Sequence, residues 1–188
     1  MSPEQVRTVI RITREMTNRP FGVDLILPAR IDQDGATITD VAAQIPSAHS
    51  ETAARIATDL GVDRSERSTK HEPDRNALGT DAEAQIQVVL EEGVPVFVGA
   101  LGSPGFVVDR FHEAGAVVMS VVGNTKQAVS VARDGADVVI AQGTEGGGHT
   151  GHVGTLALLP QVLDAVEVPV VAAGGIGDGR GLAAALVM

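Results

Sequence analysis

The stretch DVVIAQGTEGGGHTG, residues 137–151, is the most informative part of the sequence about the fold. It begins with a short apolar run and continues directly into a loop with three successive glycines. A second stretch, VPVVAAGGIGDGRG at residues 168–181, repeats the arrangement. Short apolar runs that end in glycine-rich loops are typical of parallel strands, whose carboxyl ends carry the ligand site. The two stretches therefore predict two strands of a parallel sheet, with a functional site at its carboxyl edge.

Further apolar runs extend this sheet. They are FGVDLIL at 21–27, VPVFVGA at 94–100 and AVVMSVV at 116–122. Helix-like stretches at 104–114 and 125–134 alternate with the runs, and each is closed by a glycine. This alternation predicts an α/β fold of the parallel (β/α) TIM-barrel type. Because each run is apolar throughout, we expect both faces of the sheet to be covered.

The predicted barrel is incomplete. The sequence contains five such runs, whereas a closed barrel of this type has eight strands and about 250 residues. A helix start at Ser2-Pro3, with Gln5 as capping partner, precedes the first strand, and another helix begins near Asp178. We therefore expect residues 1–188 to form a single partial (β/α)-barrel domain. A compact five-stranded fold is the alternative.

Residues 29–80 interrupt the alternation of strands and helices. They contain prolines, glycines and many charges, with helical stretches between 42 and 60 and a polar, loop-like stretch at 63–76. An insertion of this size after a strand often covers a binding site. We interpret residues 29–80 as an inserted, lid-like segment, and a disordered surface excursion is the alternative.

The composition excludes several classes of function. Cysteine is absent, which rules out disulfides, thiolate metal sites and a cysteine nucleophile. The net charge of −10 disfavours nucleic acid and anionic membranes as partners. The first residues, MSPEQ, have neither the basic nor the apolar region of a signal peptide. We expect a cytoplasmic protein with a small-molecule substrate, and a homodimer is left open.

His149 is the candidate catalytic residue. It follows three glycines whose backbone N–H groups are free to contact a planar or anionic ligand. Histidine is suited to proton transfer near neutral pH. A flexible loop with an incidental histidine is the alternative. His152 is three residues away, but only Glu145 could complete a ligand set, so no metal site is predicted.

The turn that follows the strand at 168–173 is the second candidate site. Backbone N–H groups of Ala173, Gly174 and Gly175, together with the following helix N-terminus, would hold a phosphate. The turn has neither the Gly-Lys-Ser/Thr of a Walker loop nor the spacing of a GxGxxG fingerprint. A tight turn without a ligand is the alternative. Asp24, within a predicted buried strand, must be paired or must face a ligand or water.

Three motifs together resemble the nitronate monooxygenase family, formerly called 2-nitropropane dioxygenases. They are PFGVDL at 20–25, AQGTEGGGHTG at 141–151 and PVVAAGGIGDGRGLAAAL at 169–186. The resemblance implies an FMN-dependent TIM barrel, close to the flavin-dependent enoyl-acyl-carrier-protein reductases. It also implies that His149 is the base that takes a proton from the carbon next to a nitro group.

The same resemblance assigns the contacts to FMN. Gln142 would lie beside the flavin, and the backbone of Gly147 and Gly148 would contact it. Gly174 and Gly175, with Ala173 in the same turn, would hold the FMN phosphate. Two positions depart from the family pattern. Asp24 stands where many members have Asn next to the flavin, and Gly146 stands where alanine is common.

The function implied by the resemblance is oxidation of nitronates or nitroalkanes by an FMN-dependent oxidoreductase. One alternative within the same fold is a quinone or enoyl-thioester reductase that uses NAD(P)H. Outside flavin chemistry, a phosphate-binding barrel without flavin and an inactive partial barrel remain as alternatives. The family's first two strands and its last strand have no counterpart in this sequence.

Overall fold

A computed structural model describes residues 1–27, 45–61 and 82–188. Its centre is a five-stranded sheet in which every pairing is parallel and the strand order follows the chain order. The strands are β1 (Gly22–Ile26), β2 (Val96–Ala100), β3 (Val117–Val122), β4 (Val138–Gln142) and β5 (Val170–Ala173). Parallel strands in chain order, joined by helices, are the arrangement of a (β/α) barrel. The predicted fold class and all five predicted strands are confirmed.

The described part of the chain contains seven α-helices. They are α1 (Pro3–Met16), α2 (Ser47–Asp59), α3 (Ala82–Glu91), α4 (Val108–Glu113), α5 (Thr125–Arg133), α6 (Thr155–Leu163) and α7 (Gly179–Val187). The predicted capping box at α1 is present, since the Ser2 N–H donates to Gln5 Oε1 at 2.7 Å and the Ser2 hydroxyl accepts from the Gln5 N–H at 3.3 Å. No described helix has the length and apolar character that a membrane crossing would need.

Two of these helices, α3 and α6, were not predicted from the sequence. Helix α6 contains Pro160 and lacks a capping side chain at Gly154, so the usual start and continuation signals are missing. Helix α3 directly follows the predicted lid. Most of that lid, residues 29–80, lies outside the described residues, and within it α2 is described. The assignment of a lid and of a single domain stays a prediction.

The two faces of the sheet differ in burial, and here the prediction that both are covered was wrong for the described residues. On one face Leu25, Phe97, Val118 and Val139 are buried against the helices. Phe97 stacks on Phe111 of α4 with ring centroids 4.1 Å apart. The other face is half exposed along β2 to β4. The apolar residues of this face point to the concave side of the sheet. In a closed barrel, side chains from all the strands pack against one another on that side.

Candidate functional site

The carboxyl ends of the strands open into a cavity of about 800 Å³. Asp24 and Ile26 reach it from β1, and Gln142 reaches it from the end of β4. These side chains lie on the half-exposed face of the sheet, because Asp24 pairs in register with Val98 and Gln142 with Ala173. Parallel strands place all their carboxyl ends at one edge, so residues far apart in the chain meet there.

The cavity brings together four of the predicted site residues. Asp24, Gln142, Gly147 and His149 line it, and Gly148 connects the last two in the chain. Ala173, Gly174 and Gly175 are not among its lining residues. They lie beside it, in the turn that follows β5.

The two ends of the loop that carries His149, residues 143–154, are hydrogen-bonded to each other, and the loop packs against the residue that follows β3. The Thr144 N–H donates to the Val153 carbonyl at 2.9 Å, which joins the two ends of the loop. A Cβ added to Gly123 would lie 2.7 Å from the Cα of Gly151, so the two backbones touch. His149 is exposed within this fixed loop, and its imidazole has no hydrogen-bond partner among the described residues. It is free to meet a ligand.

Gln142 fixes the glycine run that precedes His149. Its amide Nε2 donates to the Gly147 carbonyl at 3.1 Å. A Cβ on Gly146 would lie 2.5 Å from the same Nε2, so the glycine at this position makes room for Gln142. By contrast, a Cβ on Gly147 or Gly148 would meet no atom within 4 Å. The exposed side of the glycine run therefore offers open space to a planar ligand.

The turn after β5 is built by two consecutive glycines with left-handed backbones, Gly174 at φ +90° and Gly175 at φ +72°. Such angles favour glycine strongly. The turn packs against the loop after β4, since a Cβ on Gly174 would lie 3.0 Å from the Gly146 nitrogen. The two glycine motifs are therefore in direct contact.

The turn also presents unpaired backbone donors. The N–H groups of Gly175, Ile176 and Gly177 have no acceptor among the described residues. The N-terminus of α7, which the sequence analysis expected to help hold a phosphate, is capped by Asp178, whose carboxylate accepts from the Arg180 N–H at 2.9 Å. Free N–H groups in a tight turn suit an anion such as a phosphate. The free N–H groups therefore lie in the turn, whereas the Arg180 N–H at the start of α7 is already engaged by Asp178.

Glu145 is a site residue that the sequence analysis considered only as a metal ligand. Its carboxylate accepts from the Thr155 N–H at 2.9 Å and from the Thr155 hydroxyl at 3.0 Å. It thereby caps α6, whose own N-cap, Gly154, has no side chain to do so. Hydrogen bonds from its own backbone N–H and from Thr155 hold the pKa of Glu145 below its ordinary value. A cap contributed from ten residues upstream has no local sequence signal.

Glu145 also lies under the turn after β5. A Cβ on Gly175 would lie 3.2 Å from the Cβ of Glu145. The Thr155 hydroxyl is 2.8 Å from the Gly174 carbonyl, so it can donate there as an alternative to Glu145. Glu145 and Thr155 together connect the His149 loop, α6 and the turn after β5.

Asp24 faces the cavity from an otherwise apolar layer. Burial raises the pKa of its carboxyl, because desolvation disfavours the charged form. It forms no ion pair among the described residues, so it faces the cavity rather than a partner. No group of three histidine, aspartate or glutamate side chains suitable for a metal occurs in 1–27, 45–61 and 82–188.

Comparison with known proteins agrees with this geometry. The sequence pattern of the nitronate monooxygenase family matches residues 1–188. The structure resembles a nitroalkane oxidase from Streptomyces ansochromogenes, with a TM-score of 0.76 and 31% identity over 99% of this chain and 52% of the other. It also resembles FabK from Thermotoga maritima, with a TM-score of 0.71 and 32% identity over 100% of this chain and 44% of the other.

One curated relative is more similar over a shorter span. The (3aS,4S,5R,7aS)-5-hydroxy-7a-methyl-1-oxo-octahydro-1H-indene-4-carboxyl-CoA dehydrogenase of Rhodococcus jostii is 53% identical over 110 residues, which are 58% of this chain and 31% of that protein. The matched regions cover 31% of the Rhodococcus protein, 44% of FabK and 52% of the nitroalkane oxidase.

Proposed function

Because the chain belongs to the nitronate monooxygenase family, as its match over residues 1–188 shows, we propose that it functions as an FMN-dependent oxidoreductase of nitronates and nitroalkanes. The observation that carries this proposal is the position of His149. It lines a cavity at the carboxyl edge of the sheet, on a loop held at both ends, and its imidazole has no partner in the part of the chain that the structure describes.

The described residues fit FMN in two places. The N–H groups of Gly175, Ile176 and Gly177 are available to a phosphate, and the open space over Gly147 and Gly148 is available to a flat ring. When bound, FMN would supply the redox chemistry, as the acceptor of electrons from the substrate. The protein would hold the phosphate on the turn and present Gln142 and Asp24 to the cavity.

In the proposed reaction His149 acts as a general base. A ring nitrogen of His149 takes the proton from the carbon beside the nitro group, and the electron pair of the broken C–H bond moves into the nitro group. The resulting nitronate is an anion next to an imidazolium. No lysine or arginine is among the described residues that line the cavity. His149 and His152 are therefore the cavity side chains that could balance the charge of a nitronate.

Substitution of His149 by alanine tests this role. We expect His149→Ala to keep its FMN and to lose about 10²- to 10⁴-fold in turnover of a neutral nitroalkane, the range typical of a lost general base. Turnover of a pre-formed nitronate, which has already lost its proton, should fall much less. His49→Ala, at an exposed histidine that does not line the cavity, is the matched control. An equal loss on both forms of the substrate would show that His149 binds the substrate instead of deprotonating it.

A second candidate function is oxidation or reduction of a CoA thioester. The 53% identity to a protein named as a carboxyl-CoA dehydrogenase favours it. Turnover of enoyl- or acyl-CoA with NAD(P)H or an artificial electron acceptor, compared with turnover of nitronates, distinguishes the two. The colour of the purified protein tests the flavin itself. A colourless protein that gains no thermal stability from added FMN would leave the alternative of a phosphate-binding barrel without flavin.

A further inference from the structure

Leu101 has an unusual backbone conformation. It follows β2 directly and has φ +64°, and no other residue except glycine has a positive φ in the described part of the chain. In this left-handed region the Cβ of leucine approaches its own carbonyl oxygen, so glycine or asparagine is normally found there. Such strain persists only when the surroundings enforce it, and it is concentrated at functional sites.

The segments on both sides of Leu101 are fixed. Before it, the Ala100 carbonyl accepts from the Leu27 N–H at 2.8 Å, which continues the pairing of β1 with β2. After it, Gly102 lies so close to β1 that a Cβ would be 2.6 Å from the Leu27 carbonyl oxygen. Ser103 then donates to Asp134 Oδ2 at 2.9 Å. The chain must turn sharply between two anchored points, and the turn falls on Leu101.

The side chain of Leu101 lines the cavity. It is 46% exposed, and Ile26, another cavity residue, is 62% exposed. With Ala100 and Val121 they form the apolar wall of the cavity. Helix α5 and its N-cap contribute the uncharged polar residues Asn124, Gln127 and Ser130, together with Val131. Exposed leucine and isoleucine side chains that share a cavity are typical of a surface that contacts an apolar ligand group.

We propose that Leu101 is a specificity-determining residue that contacts the alkyl chain of the substrate, so that the site prefers nitronates with longer apolar chains to nitronates of one or two carbons. This inference rests on the proposed function, since the substrate is taken to be a nitronate. The left-handed backbone presents the leucine side chain to the cavity at the expense of local strain. Glycine at the same position would relieve the strain and remove the contact.

The test compares the kcat/KM of Leu101→Gly, Leu101→Ala and the wild-type chain for a series of linear nitronates, from that of nitroethane to that of nitrohexane. Burial of each additional methylene should raise kcat/KM of the wild type about fourfold. Both variants should flatten this dependence to less than twofold per methylene. Leu163→Ala is the matched control, because Leu163 is 39% exposed and is not among the residues that line the cavity. It should keep the wild-type slope.

A thermal unfolding measurement separates strain from packing. Leu101→Gly should have a Tm equal to or above that of the wild type, because glycine adopts φ +64° without strain. Leu101→Ala retains the strain and should not gain stability. Unchanged chain-length dependence in both variants would overturn the proposal, and so would a fall in the Tm of Leu101→Gly below that of Leu101→Ala.

A binding measurement makes failure of the inference distinguishable from failure of the proposed function. Linear carboxylates from propanoate to octanoate are planar anions that resemble nitronates and need no turnover. Titration calorimetry should show affinity rising with chain length in the wild type but not in the Leu101 variants. This result without any nitronate turnover would support the Leu101 contact and refute the nitronate function. Nitronate turnover with the same chain-length dependence in all variants would refute the contact alone.

Discussion

The loop after β4 and the turn after β5 are both rich in glycine, yet they are held in different ways. Contacts from elsewhere in the chain fix the loop, namely Gly123 against Gly151 and Thr155 against Glu145. The turn also contacts the loop, but in addition it has two left-handed backbones of its own, at Gly174 and Gly175. The two segments meet where Gly174 packs on Gly146.

This contrast predicts which substitutions each segment can tolerate. A loop shaped by distant contacts is sensitive to substitutions far from His149 in the sequence. A turn shaped by its own backbone angles is sensitive to substitutions within it. The first should affect the position of the proposed base, and the second should affect the proposed phosphate site. Substitutions that act on one segment at a time test this division.

Among the substitutions that act on these two segments, Gly123→Ala should have the largest effect on stability and turnover. It disrupts the contact between the residue that follows β3 and the His149 loop. The added Cβ would lie 2.7 Å from the Cα of Gly151, and backbone cannot move aside as a side chain can. We expect a loss of about 1–3 kcal/mol in unfolding free energy. A displaced His149 should also lower turnover about 100-fold, the effect of misplacing a catalytic group by about 1 Å.

The matched control for Gly123→Ala is Gly179→Ala. It adds the same atom where nothing lies within 4 Å, at the first residue of α7. Thermal unfolding and nitronate turnover should both stay near wild type. If Gly123→Ala behaved like Gly179→Ala, the contact with β3 would not determine the shape of the loop.

A smaller and more selective effect is expected for Gly175→Val. Valine is strained at φ +72°, and its side chain would crowd both Glu145 and the free N–H groups of the turn. We expect at least a tenfold loss of FMN affinity, measured by fluorescence titration of the apoprotein. Gly115→Val is the control, because Gly115 has φ +74° and lies outside the site. It should cost similar stability and leave FMN affinity unchanged. Equal FMN affinity in both variants would mean that the turn is only structural.

The smallest effect is expected for Glu145→Gln, which acts on both segments. The folded-state pKa of Glu145 is lowered below its ordinary value of 4.5, so its carboxylate stabilises the fold at higher pH. That contribution is present above pH 4.5 and is lost as the pH falls through the lowered pKa. The Tm of Glu145→Gln should therefore lie a few degrees or less below wild type at pH 7 and converge with it in acid.

Glu113→Gln is the control for this pH dependence, because Glu113 is an exposed carboxylate on α4 with no hydrogen bond to the described residues. Its Tm should follow the wild type at every pH. A constant difference between wild type and Glu145→Gln from pH 3 to pH 7 would contradict the role of the Glu145 charge.

The amino-acid sequence was sufficient to predict the five strands, the parallel α/β fold and the location of the two glycine motifs. This was possible because a run of β-branched residues favours a strand, and a glycine after such a run or after a helix favours a turn. It also predicted that Gln142 and the loop carrying His149 lie at the carboxyl edge of the sheet, since parallel strands align their carboxyl ends, and both line the cavity there. For Asp24 it left a partner, a ligand and water open. The match of the nitronate monooxygenase family to the whole chain confirms the resemblance of its motifs.

The contacts that hold the site depend on tertiary packing and have no local sequence signal. The contact of Gly123 with Gly151, the Glu145 cap on α6 and the left-handed Leu101 each depend on backbone segments that approach from different parts of the chain. The partial exposure of the inner face of the sheet could not be predicted for the same reason. An apolar run has the same sequence pattern whether one face of its strand is covered or both. Local patterns specify the elements, whereas the distances between elements arise only when the core packs.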